Sequence, residues 1–198
     1  VERLRIEADG DIGLGTNSPN RSGYGAPVVS IGYNTSNNYS VLELQGNKTS
    51  DATIATIVGY NVGGTSRIAQ MNFARDGANN SGAITFDTYV SGSSSERLRI
   101  DSSGRLLLGT TTEGASNANN LTIASSSSAG MTLRSGTTSS ANIYFSDATS
   151  GAGEYAGFIQ YNHTNDYLNF GTGGSERFRI DSSGKVGFNN TAPSAAIE

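Results

Sequence analysis

The chain of 198 residues has no cysteine, no tryptophan, one histidine and three prolines. Without cysteine there is no disulfide staple and no thiol nucleophile, and with His163 as the only imidazole a structural zinc site would have to be unusual. Three prolines exclude a collagen or polyproline fibre. Positive charge is also scarce. Lys and Arg number 13 against 17 Asp and Glu, a net charge of −4, so the basic stripe a nucleic-acid partner calls for is missing. No apolar run approaches a membrane span and no signal peptide is visible. Nowhere do apolar residues hold a three-and-four spacing over a dozen positions, so no helix is predicted.

What the chain does have is a phrase written three times. It reads ERLRIEADGDIGLG from Glu2, ERLRIDSSGRLLLG from Glu96 and ERFRIDSSGKVGFN from Glu176. A repeat is read first because it decides the fold class. In the middle copy Leu98 and Ile100 alternate with Arg97, Arg99 and Asp101, a period of two that gives a strand one apolar and one charged face. Asp101-Ser102-Ser103-Gly104 has turn chemistry, and Leu106 and Leu108 resume the alternation. Each copy is therefore a predicted β-hairpin. The corresponding apolar sets are Leu4, Ile6, Ile12 and Leu14 in the first copy, and Phe178, Ile180, Val186 and Phe188 in the third.

The text between the copies also repeats. Leu42-Glu43-Leu44-Gln45-Gly46 answers Met131-Thr132-Leu133-Arg134-Ser135-Gly136, Ala69–Phe73 answers Gly157–Tyr161, and Ile84-Thr85-Phe86 answers Leu168-Asn169-Phe170. Further apolar pairs at Val29/Ile31, Leu121/Ile123 and Ile143/Phe145 predict short strands, and Ala52 to Val58 is a run of uncertain phase. The copies stand at unequal intervals, which suits loops inserted into a common frame; the extra length is expected around 59–67 and 76–82. The organisation read from this is 1–19 as the end of an upstream repeat, 20–112 as one β-rich module and 113–198 as a second. Opening inside a copy of the phrase, at Val1-Glu2-Arg3, the chain is expected to be part of a longer polypeptide, so missing targeting signals carry no weight.

Leu, Ile, Val and Phe make up just under one fifth of the chain, a thin supply for a self-contained core. Burying an aliphatic side chain yields about 1.5–3 kcal/mol, while ordering a residue costs roughly 1–2 kcal/mol. Short strands with narrow apolar stripes also leave edges that need cover. Packing identical chains around an axis meets both needs, with Leu98, Ile100, Leu106, Leu108 and their equivalents facing the axis.

The residues that could carry chemistry favour structural roles. His163 lies in Asn162–Asp166, between two predicted strands, and reads as a surface turn. Asp9-Gly10-Asp11 is too short for a calcium loop, and Gly13-Leu14-Gly15 lacks the helix and lysine of a phosphate loop. The carboxylates Glu96 and Asp101, Glu176 and Asp181 recur with the phrase, as cross-strand ion partners of the arginines rather than a hydrolase pair. Tyr144, Tyr155, Tyr161 and Tyr167 offer faces on which a sugar could stack. The Asn-x-Ser/Thr triplets, among them Asn34-Thr35-Ser36 and Asn120-Leu121-Thr122, are expected by chance in a chain of this composition. No catalytic, cofactor-binding or metal-binding residue is nominated, and a ligand-binding residue stays unassigned.

The repeated phrase resembles the repeat of long tail-fibre proteins of tailed bacteriophages, marine phages particularly, which runs R-I-D-S-S-G-N-V-G-I-G-T-T-S-P. Asp11 to Pro19 matches its second half closely; Lys185 to Pro193 matches it with Phe188-Asn189-Asn190 where I-G-T is usual. The resemblance covers the hairpins directly and the spacers in texture. It implies an all-β, elongated, repeat-built fibre, a homotrimer with a β-prism or β-helix-like shaft, located in the virion tail and extracellular. It implies no enzyme and no cofactor, other tail or fibre proteins as partners with a host-surface glycan or receptor beyond them, and neither nucleic acid nor membrane insertion. The alternatives are a tail-spike enzyme degrading host polysaccharide and a bacterial surface filament or adhesin. The autoproteolytic chaperone domain that ends many such fibres is not visible, so no self-cleavage is predicted.

Overall fold

A computed structural model describes residues 4–8, 11–14, 29–31, 42–61 and 66–194. Two compact units follow one another, residues 1–129 and 130–198. Both are all-β. The first holds a three-stranded sheet of β1 (Leu4–Ile6), β2 (Ile12–Leu14) and β3 (Val29–Ile31). It also holds a six-stranded sheet of β4 (Thr53–Tyr60), β5 (Arg67–Arg75), β6 (Gly82–Val90), β7 (Ser93–Ile100), β8 (Leu106–Leu108) and β9 (Leu121–Ile123). The second unit is a five-stranded sheet of β10 (Ser140–Phe145), β11 (Gly157–Asn162), β12 (Tyr167–Thr172), β13 (Ser175–Ile180) and β14 (Val186–Phe188). Strands follow chain order in every sheet, and one 3-10 turn, Gly151–Tyr155, is the sole helical element among the described residues.

The three copies of the phrase form hairpins of one register. Leu4 faces Leu14, Leu98 faces Leu108 and Phe178 faces Phe188; Ile6, Ile100 and Ile180 face Ile12, Leu106 and Val186. The turn chemistry explains the register. In the two later copies the Gly104 and Gly184 N–H groups donate to the carbonyls of Asp101 and Asp181 at 2.9 Å, and both glycines sit at φ 78°, the left-handed position of a type I turn closed by a one-residue bulge. The connections before β7 and β13 are tight two-residue turns with both residues left-handed, Ser91-Gly92 and Gly173-Gly174.

Several expectations change. Leu42/Leu44 and Met131/Leu133 alternate like strands yet lie outside every ladder. The run of uncertain phase is β4. A third strand, unforeseen as a partner, lies parallel to the hairpin in two copies: Ile12 pairs Val29 and Leu14 pairs Ile31, as Leu106 pairs Leu121 and Leu108 pairs Ile123. Part of the extra length of the first module is in longer arms, β6 and β7 against β12 and β13, whereas the connection 61–66 is shorter than its counterpart 146–156.

Register sorts the side chains into rows. Across the six-stranded sheet one face carries Ala55, Phe73, Ile84, Ile100, Leu106 and Leu121, and beside them Ile57, Met71, Phe86, Leu98, Leu108 and Ile123. The row between them points to the other face: Thr56, Asn72, Thr85, Arg99, Leu107 and Thr122. The second unit repeats the scheme, with Ile143, Ile159, Phe170, Phe178 and Phe188 on the apolar face and Asn142, Gln160, Asn169, Arg179 and Gly187 on the opposite one.

Burial runs against the polarity of these rows. Leu107 is 1% exposed, and the other buried side chains include Asn72, Thr85, Asp101 and Asn169. They lie on the polar side of their own sheets, and in the first unit segment 110–120 runs beside the hairpin on that side. There the Gly114 N–H donates to Thr122 Oγ1 at 2.9 Å, and Arg105 meets Glu113 at 3.1 Å. The apolar face is the uncovered one.

Candidate functional site: a braced polar face and a bare apolar face

The phrase Glu-Arg-x-Arg is built around a bulge. Phe86 pairs Leu98, but the next pair is Asp87 with Glu96, so Arg97 is an extra residue without a partner; Phe170 and Phe178, then Gly171 and Glu176, repeat this with Arg177. A regular strand would send Glu96 and Arg99, three apart, to opposite faces. The bulge brings them to the same face. Arg99 Nε and Nη2 donate to the two oxygens of Glu96 at 2.9 and 2.8 Å, and Arg179 does the same to Glu176 at 2.8 and 2.7 Å. The arginines were expected to pair across strands on a wetted face; instead each closes a half-buried bidentate pair within its own strand. The bulged arginines turn outward, Arg97 to Thr88 Oγ1 at 2.7 Å and Arg177 to Thr172 Oγ1 at 3.2 Å.

These pairs continue a polar ladder across the sheet. Thr56 donates to Asn72 Oδ1, and Asn72 Nδ2 to Thr85 Oγ1 and Asp87 Oδ2, all within 2.9–3.1 Å. In the second unit Gln160 donates to Asn142 Oδ1 at 2.7 Å and Asn169 to Glu176 Oε2 at 2.6 Å. Arg179 also lies over the Tyr167 ring, 3.7 Å from its centre. Burial pushes the Glu176 carboxyl up, but the bonds from Arg179 and Asn169 outweigh it and hold the group below its ordinary range.

The acid after the second arginine organises the turn. Asp101 Oδ1 accepts the N–H groups of Ser103 and Arg105 at 2.9 and 3.0 Å, and its Oδ2 accepts Arg105 Nε at 2.6 Å. Burial raises its pKa and these bonds more than reverse the effect, so the carboxyl sits below its usual value. Asp181 accepts from Ser183 and Lys185 in the same way, at 2.8 and 2.9 Å. All four repeated carboxylates thus have structural partners.

The apolar face has no such closure. Ile57, Phe86, Ile100, Leu121 and Ile123 are each more than a third exposed, as are Ile143, Tyr161 and Phe170 in the second unit; Ile6 and Phe188 each reach 69%. Phe170, Phe178 and Phe188 stack edge to face across three strands, with centres 5.6 and 5.3 Å apart. An apolar groove of about 790 Å³ opens on the β4–β6 side, lined by Leu42, Leu44, Ile57, Phe73 and Ile84 among others. Rows of two apolar residues, about 7 Å apart along strands spaced about 4.8 Å, cover roughly 400 Å² on the six-stranded sheet alone.

The remaining candidates are scattered. His163 sits half-buried in the turn after β11, its N–H bonded to Ser139 O and its ring 4.9 Å from Tyr161. Tyr161 belongs to the apolar face and Tyr167 is covered by Arg179; only Tyr144 and Tyr155 remain as an exposed pair, with centres 6.3 Å apart. The Asn120 carbonyl accepts the Leu106 N–H at the start of β9. Gly13 and Leu14 lie in β2. Asp9, Gly10, Gly15 and Asn34-Thr35-Ser36 lie outside the described residues. Among the described residues no three His, Asp or Glu side chains gather to hold a metal. Sequence reading missed the bulge, although its signal was present: a salt-bridging pair three apart inside a period-two strand.

No protein-family model matches the chain, and no curated protein matches it. Among the solved structures that resemble it are two of one fibre. One is the carboxy-terminal domain of the bacteriophage T5 L-shaped tail fibre with its intra-molecular chaperone domain, at 13% identity over 84% of this chain and 64% of that one, TM-score 0.41. The other is the carboxy-terminal domain of the same fibre, at 13% identity over 84% and 92%, TM-score 0.35. The chain thus spans just under two thirds of the length of the first, and neither likeness is close enough to assign a function.

Proposed function

We propose that the chain is a structural module of a phage tail fibre, a homotrimeric shaft that holds a receptor-binding tip away from the virion. The observation that carries this reading is the apolar face. Two continuous rows of aliphatic and aromatic side chains cross each large sheet and stay exposed or half-exposed, while the opposite face is braced by hydrogen bonds and ion pairs. A face of this kind calls for a partner, and a repeating module calls for the same partner at each repeat, which a second and third copy supply. The number three comes from the resemblance of the repeated phrase to tail-fibre repeats. In this reading the mechanism is mechanical: the apolar faces meet around the axis, and the Glu–Arg pairs and Asp-anchored turns keep each sheet in register outside it.

The test is to find the protein on a particle. Antibodies against residues 130–198 should decorate the fibres of virions that carry it, with three copies per fibre by quantitative mass spectrometry. Decoration of a bacterial surface would favour the filament or adhesin, and release of reducing sugar from host polysaccharide would favour the depolymerase; either result would overturn the proposal.

A further inference from the structure

Asp76-Gly77, between β5 and β6, combines a side-chain carboxyl with an unhindered following N–H, the pairing from which a succinimide forms. Closure requires the Gly77 nitrogen to attack Asp76 Cγ, losing its proton as a carboxyl oxygen leaves as water. Water then reopens the ring at either carbonyl, and one opening routes the main chain through Cγ as isoaspartate. Only water is lost and regained, and nothing is oxidised or reduced.

Both reacting groups are occupied in the fold. The Gly77 N–H donates to Asp51 Oδ1 at 2.9 Å, and Asp76 Oδ2 accepts the Ser102 N–H at 3.0 Å. Arg75 Nη2 fixes the Gly77 carbonyl at 2.8 Å, and the Asp76 N–H bonds Ser81 O at 3.0 Å. The bond from Ser102 and the nearby Arg99 also keep the Asp76 carboxyl ionised, the form with the poorer leaving group. We propose that Asp76-Gly77 is a latent isomerisation site and that Asp51, from the segment before β4, holds it unreacted by engaging the Gly77 N–H. The consequence is local and large: Asp76 ties the β5–β6 turn to the repeated Asp101 turn through Ser102, and an extra backbone carbon at residue 76 would break that tie. The chemistry is independent of the tail-fibre reading.

The experiment incubates folded wild-type protein, the folded Asp51→Ala and Asp51→Asn variants, and the synthetic peptide Phe73–Ser81 at neutral pH and 37 °C. Isoaspartate at residue 76 is followed by peptide mapping with electron-transfer fragmentation; isomerisation leaves the mass unchanged and so stays distinct from deamidation at Asn79 and Asn80. A charge-assisted hydrogen bond that must break first corresponds to roughly a tenfold to hundredfold slower reaction. The peptide should therefore react fastest and folded wild type slowest, with Asp51→Ala at least about tenfold faster than wild type and Asp51→Asn between them. Equal rates for folded wild type and peptide would overturn the proposal, as would an unchanged rate in Asp51→Ala with the protein folded.

Discussion

Replacing Asp101 by alanine removes the acceptor for two backbone N–H groups and one guanidinium N–H. Hydrogen bonds to a charged group contribute about 1.5–3 kcal/mol each, and a buried donor left bare costs about 1–3 kcal/mol. The three bonds do not add fully, because Ser103 is exposed and the Arg105 side chain can turn to water. A net loss of about 2–4 kcal/mol is expected. Asp101→Asn keeps the two backbone bonds at Oδ1 and gives up the ion pair, so it should lose less. Asp181→Ala is the internal comparison: it loses two backbone bonds at a more exposed turn, and should cost about 1–2 kcal/mol. Urea unfolding at one fixed protein concentration measures all three. The pH dependence follows from the lowered pKa of Asp101 in the fold. Its stabilisation is complete above the ordinary carboxylate range, and is lost as pH falls from that range through the lower folded value. The gap between wild type and Asp101→Ala should therefore shrink in acid. An Asp101→Ala loss below about 0.5 kcal/mol, or a larger loss for Asp181→Ala, would refute the claim that this carboxylate anchors the turn.

Other changes separate the two faces. Glu176→Ala strips Arg179 of its bidentate partner and Asn169 of its acceptor, and should cost about 2–4 kcal/mol in the same unfolding assay. Gly187→Ala would place a methyl 2.1 Å from the Asn190 carbonyl oxygen, a backbone atom; a loss of about 1–3 kcal/mol in urea, or displacement of 189–192 in a crystal structure, is the expected result. Phe170→Asp, on the apolar face, should dissociate the assembly while its far-ultraviolet circular dichroism stays β-rich, whereas Asn142→Asp, on the opposite face, should leave the assembly intact.

Alternation made the hairpins legible, since Leu98/Ile100 and Leu106/Leu108 mark one face and the Asp-Ser-Ser-Gly turn fixes their register. It also revealed the correspondence of Met71-Asn72-Phe73 with Ile159-Gln160-Tyr161, which the ladders reproduce. Alternation reports a face and not a partner. Leu42/Leu44 share the pattern of Leu121/Ile123, yet only the latter join a ladder, at β8. The β4 strand was hard to phase because register shifts occur at both of its ends. The bulge at Arg97 was hidden because binary patterning assumes strict period two, and one extra residue reverses every side chain upstream of it. The uncovered face was inferred from the scarcity of apolar residues; its continuity across six strands emerges only from the register.

The central claim is that the apolar faces are contacts between copies of the chain. Sedimentation equilibrium of the folded protein over a hundredfold range of concentration tests it most directly. The account predicts three times the chain mass, falling to a monomer in Phe170→Asp. A compact monomer at every concentration, with the same apolar rows still open to solvent, would contradict it.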